Sequence, residues 1–129
     1  MMEVLIGSFV VILILSILYF MSLEETSTAS HMSLMDAKHA LRSGNIRSVV
    51  DVRKEYQYQS GHYPDAISFP LSIMNEQTIT RKEISEKMYT PTLVYCNSGR
   101  QARIAAQKLT KQGIYPVYYV SVPYWKLME

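Results

Sequence analysis

The 129-residue sequence predicts an α/β class domain, a mainly parallel sheet flanked by helices, preceded by one transmembrane helix. Three observations carry that prediction. Short β-branched runs alternate with helical periods, the order that builds parallel sheets through crossover helices. One compact apolar strand, Thr92 to Tyr95, runs directly into a cysteine, a glycine-containing turn and a helix. At the other end, Val4 to Met21 reads VLIGSFVVILILSILYFM, 18 residues without a charge. At about 1.5 Å per residue such a run nearly spans a hydrocarbon core roughly 30 Å thick.

Residues 1–22 are accordingly read as a membrane anchor, residues 23–32 as a tether and residues 33–129 as the folded domain. A cleaved signal peptide is the rival, because Ser27-Thr28-Ala29 offers small residues. The stretch before the apolar run has no Lys or Arg, however, and the run is longer than a usual signal core. A buried core helix is the third reading. The nearest bases, Lys38 and Arg42, follow the helix, which by the positive-inside rule places the domain in the cytoplasm of a single-pass membrane protein. In the tether, Ser30-His31-Met32 resembles a cloning scar, and His31 is assigned no role.

Ser33 caps a helix over Leu34 to Ser43, with Asp36 at the capping-box position and Gly44 as its stop. Ile46 to Val52 is a strand with an acid, Asp51, near its end, and Ala66 to Phe69 a second; a tyrosine-rich helical or irregular stretch and the Gly61-His62-Tyr63-Pro64 break lie between them. A helix is expected near Arg81 to Met88. After the strand at Thr92 to Tyr95, a helix from Arg100 to Gln112 carries Ala102, Ala105, Ala106 and Leu109 on one face. Tyr115 to Val120 is the last strand, and Tyr124 to Met128 a terminal turn.

Composition excludes several function classes. One cysteine cannot form an internal disulfide, and 48% hydrophobic residues is too many for a disordered chain. Residues 26–129 carry 13 bases and 8 acids, a mild excess suited to small anions. The bases are scattered, without the stripe that nucleic-acid binding needs.

Chemistry concentrates in CNSGRQA, Cys96 to Ala102. Backbone amides of a tight glycine-containing loop, with the positive end of the following helix, make an anion cradle and favour thiolate over thiol. On the residues alone, Cys96 is either a nucleophile or a small buried hydrophobe. Arg100 either holds an anionic group or is a solvated charge, and Asn97 and Ser98 either donate to a substrate oxygen or stabilise the turn. Tyr118, Tyr119 and Tyr124 are candidates to line a substrate mouth.

Two stretches resemble the rhodanese-like sulfurtransferases. DVRKEYQYQSGHYPDAISFP (Asp51 to Pro70) is similar to that family's Asp-Val-Arg, Tyr, Gly-His-x-Pro-x-Ala and Pro pattern. VYCNSGRQA (Val94 to Ala102) is similar to its six-residue active-site loop, especially in single-domain bacterial members of the phage-shock type. The likeness runs from about Ser33 to Trp125. It implies a persulfide on Cys96, a substrate-binding loop of Asn97, Ser98, Gly99, Arg100 and Gln101, and framework roles for Asp51, Arg53 and His62. It further implies transfer from thiosulfate or a similar sulfur-containing anion to a thiol, cyanide or protein acceptor, without metal or cofactor. Three departures bear on donor preference and rate: Gln101 where many relatives have Arg, Asp65 where they have Gly, and Ser121-Val122 in place of a glycine pair. A tethered binding or sulfur-sensing module is the alternative. A cysteine phosphatase is disfavoured because the sixth position after Cys96 is Ala102 rather than Arg, and a cysteine hydrolase because His62 sits in a structural setting.

Overall fold

A computed structural model describes residues 2–23 and 28–129. Helix α1 (Met2–Leu23) is long and apolar enough to cross a membrane, with mean hydropathy 2.8. The expected tether falls partly on residues 24–27, outside the described residues, as does the start of the Ser27-Thr28-Ala29 stretch.

The rest of the tether departs from expectation. Ser30–His31 form strand β1, paired in parallel with Tyr118 and Tyr119. Two polar residues on a sheet edge show no hydrophobic period, so nothing in their sequence marks them as a strand. His31, assigned no role from sequence, is thereby fixed beside Tyr119.

Helix α2 (Leu34–Arg42) starts where expected, the Ser33 hydroxyl accepting from the Asp36 amide at 3.1 Å. The remaining elements are β2 (Ser48–Asp51), α3 (Glu55–Ser60), β3 (Ile67–Ser68), a 3-10 turn (Leu71–Ile73), α4 (Glu76–Ile79), α5 (Lys82–Ser85), β4 (Thr92–Tyr95), α6 (Arg100–Lys111), β5 (Val117–Tyr119) and α7 (Tyr124–Met128). The tyrosine-rich stretch resolves as α3. The single helix expected near Arg81 to Met88 is only α5, four residues long, with α4 before it. The Asn75 side chain accepts from the Thr78 amide and the Thr78 hydroxyl from the Asn75 amide, a reciprocal cap that starts a new turn there.

The sheet is ordered β1-β5-β4-β2-β3, and every described pair is parallel. The chain leaves β2 toward one edge and β4 toward the other. The crevice beyond their carboxyl ends is therefore the topological switch point, where open α/β sheets take ligands.

All four residues of β4 are buried, as a strand covered on both faces must be. Side chains alternate across it. Val94 and Cys96 join the cluster under α6, whereas Leu93 and Tyr95 join the one beneath α2 and α7. Three alanines, Ala102, Ala105 and Ala106, let α6 lie close on the sheet, and Leu109 fills the space beyond them; all four are fully buried. Leu109→Ala should lower stability by about 2–5 kcal/mol, and Ile104→Ala, on the exposed side of the same helix, by under ~1 kcal/mol, both read from denaturant midpoints of the full chain in nonionic detergent.

Candidate active site

At the switch point the strands β2 and β4 end side by side, with Asp51 opposite Tyr95 in register. The Asp51 side chain is fully buried and must be paired there. It accepts from the Arg53 amide at 2.9 Å, from Arg53 Nε at 3.0 Å, from Arg53 Nη2 at 2.7 Å and from the Tyr95 hydroxyl at 2.7 Å. Arg53 Nη2 also donates to the Gly61 carbonyl at 2.6 Å, and its guanidinium lies 5.0 Å from the Tyr124 ring centroid. A Cβ on Gly61 would overlap the Tyr124 hydroxyl, so only glycine lets the turn come this close to α7. His62 stands outside this pair. Its ring stacks on Tyr58 with centroids 3.8 Å apart, and Nδ1 lies 2.8 Å from the Tyr58 carbonyl.

Burial, with the Asp51 hydrogen bond and charge acting in the same direction, raises the Tyr95 phenol well above its usual 10.0. The Asp51 hydrogen bond likewise holds Arg53 above its ordinary value.

The residue after Tyr95 is Cys96, 3% exposed. Its Sγ accepts from the Gly99 amide at 3.1 Å and the Ala102 amide at 3.4 Å. The Ala102 amide is a contributor that sequence reasoning missed, having considered that position only for its side chain. Asn97, Ser98, Arg100 and Gln101 are exposed, and among the described residues none of their side chains makes an internal hydrogen bond. The loop therefore presents backbone to the sulfur and side chains to solvent.

Gly99 sits at φ +95°, where a Cβ would lie 2.7 Å from the Ser121 Cα. Both the backbone angle and the close approach demand glycine. Ser121 is also held from behind, its hydroxyl 3.2 Å from His31 Nε2. Of the three tyrosines expected at a substrate mouth, Tyr119 lines a groove beside the loop. Tyr118 and Tyr124 instead pack with the cluster beneath α2 and α7. Asp65 takes a left-handed φ of 62°, which aspartate tolerates at small cost. Among the described residues no group of acids, histidines and cysteine has the arrangement to hold a metal ion.

The rhodanese-like domain family's sequence model matches residues 33–124. The chain belongs to that family. It is 39% identical over 64 residues to the thiosulfate sulfurtransferase PspE of Escherichia coli, covering 50% of this chain and 59% of that one. It is 28% identical over 102 residues to the tRNA uridine(34) hydroxylase of Protochlamydia amoebophila, covering 74% of this chain and 31% of the other. Among solved structures, the human single-domain sulfurtransferase TSTD1 superposes with a TM-score of 0.64 at 20% identity, over 78% of this chain and 96% of that one. The chain spans from 21% to 59% of the length of the curated relatives it matches.

Two outcomes follow from the Asp51 pair. Arg53→Met leaves a buried carboxylate without its counter-charge and should cost about 3–5 kcal/mol in denaturant unfolding. Because the folded state raises the Tyr95 phenol, its contribution to stability is whole below about pH 10 and is lost as the pH climbs above that value; Tyr95→Phe should flatten the alkaline fall in thermal midpoint relative to the parent chain.

Proposed function

We propose that this chain is a membrane-anchored thiosulfate sulfurtransferase working through a persulfide on Cys96, its domain on the cytoplasmic side. The observation that carries the reading is the convergence of the Gly99 and Ala102 amides on Cys96 Sγ. These donors stabilise negative charge on sulfur, first as thiolate and then as persulfide, and they are set before any substrate arrives. In the first half-reaction Sγ attacks the outer sulfur of thiosulfate; the donor's S–S bond breaks and its electron pair leaves on sulfite. In the second, an acceptor thiolate attacks the outer sulfur of the persulfide and the electron pair returns to Sγ. The two steps together consume no external oxidant or reductant.

Arg100, exposed one position beyond Gly99, is assigned to the departing sulfite end of the donor, and Asn97, Ser98 and Gln101 to the rim. Asp51, Arg53 and His62 act as framework. The E. coli relative's name supports thiosulfate as donor; α1 supports the membrane anchor.

Intact-mass measurement of the full chain in nonionic detergent tests the reading. Thiosulfate should add one sulfur atom to the parent and none to Cys96→Ser, and cyanide or a thiol should remove it. A mass gain that no acceptor reverses would turn the assignment to a module that takes up sulfur without turning over. Uptake of sulfur by Cys96→Ser would overturn the mechanism. Arg100→Ala should raise KM for thiosulfate roughly tenfold, the loss of about 1.4 kcal/mol of binding, while the rate of persulfide discharge to cyanide changes less than twofold.

A further inference from the structure

An open groove of about 530 Å³ runs beside the loop, between the β1 and β5 edge and α6. His31, Tyr119 and Ser121 form its sheet side, and Arg100, Arg103 and Ile104 its helix side. We propose that this groove docks an acidic, extended segment of the protein that accepts sulfur from Cys96. The inference rests on the sulfurtransferase reading and names the partner of its second half-reaction.

Charge comes first. No Asp or Glu lines the groove. Arg100 and Arg103 are both exposed, and neither takes part in a salt bridge among the described residues. Three positions apart on α6, they stand as neighbours on the helix surface, and like charges so placed repel. An anion between them removes that cost. His31 and Ser121 add polar atoms on the facing wall, held in place by their contact with each other.

Shape decides between occupants. Small-molecule sites of comparable volume enclose most of their ligand; this groove is open along its length, and its two arginines stand among the apolar surface of Ile104 and Tyr119. Ile104, 39% exposed, gives an apolar spot among the charges. An acidic chain laid along the groove satisfies each feature, and specificity by complementary charge is how such encounters are steered. Position supplies the last argument. Gly99 lines the groove and its amide donates to Cys96 Sγ, so the groove adjoins a residue in direct contact with the reacting sulfur.

The test uses the full chain in nonionic detergent, loaded with thiosulfate, and two synthetic peptides: a cysteine flanked by glutamates and the same cysteine flanked by lysines. The acidic peptide should discharge the persulfide with a kcat/KM roughly tenfold higher at low salt, equivalent to about 1.4 kcal/mol, and the excess should shrink as salt rises. Arg103→Glu should erase the excess and leave discharge to the neutral acceptor 2-mercaptoethanol as in the parent, both measured on chains loaded to the same extent. Equal rates for the two peptides, or an excess that survives Arg103→Glu, overturns the proposal.

Fluorescence anisotropy of a labelled acidic peptide with serine in place of cysteine, on the unloaded chain, separates docking from sulfur chemistry. Binding that Arg103→Glu abolishes, in a chain that takes up no sulfur, retains the acidic-segment site and discards the sulfur reading. Sulfur uptake without peptide binding does the reverse. Inorganic sulfate that binds as tightly as the peptide also overturns docking and makes the groove a small-anion site.

Discussion

A carboxylate with no access to water governs the carboxyl end of this sheet. Asp51 is fully buried, and an ionised group in that position persists only if its lone pairs are met. Arg53 meets them from the same chain segment, with its amide and its guanidinium, and Tyr95 meets them from the neighbouring strand. Each partner then carries the constraint outward. Arg53 reaches the Gly61 carbonyl and the face of Tyr124, while the Tyr95 hydroxyl accepts the Tyr63 amide at 3.1 Å. One buried charge thus joins β2, β4, the turn after α3 and the start of α7.

That arrangement bears on Cys96 through the alternation of a strand. Tyr95 is anchored on one face, so the next side chain must point to the other, under α6. Cys96 receives its position from Val94 and Ala102 packing on its own face and from Tyr95 across the sheet. The loop then turns at Gly99, backed by the Ser121 main chain, and delivers two amides to the sulfur. The framework and the thiol are coupled through one peptide unit, the bond from Tyr95 to Cys96.

The sequence made legible what is periodic or chemically singular. A compact run, Thr92 to Tyr95, before a lone cysteine marked β4, the alanines at helical spacing marked the buried face of α6, and Ser33 marked the start of α2. What stayed hidden was set by contacts between residues far apart in the chain. Ser30 and His31 are polar, short and next to a featureless segment, and they become a strand only because β5 offers an unpaired edge. The division between α4 and α5 depends on a reciprocal cap between Asn75 and Thr78, which four-residue helices cannot announce through a hydrophobic period. In the site, Cys96 and its loop were readable; the Ala102 amide was not, because a backbone donor has no residue type. Arg103 carries no sequence signal beyond its charge, and its place in a groove with His31 required the fold.

The size of the loop itself discriminates between kinds of chemistry. A tetrahedral oxyanion needs donors arranged around several oxygens and, in cysteine phosphatases, an arginine clamp at the sixth position. Here that position is Ala102, whose side chain is fully buried against the sheet and whose contribution is a single amide aimed at Sγ. Both described donors to the sulfur converge on one atom, so the cradle is matched to a charge centred on sulfur. A persulfide extends that charge by one bond without the bulk of a phosphoryl group. The cationic side chains, Arg100 and Arg103, stand outside this inner cradle and in solvent. On the proposed function, the Gly99 and Ala102 amides hold the sulfur anion and the arginines act on its donor and its acceptor, two separable layers that meet at the N-terminal end of α6.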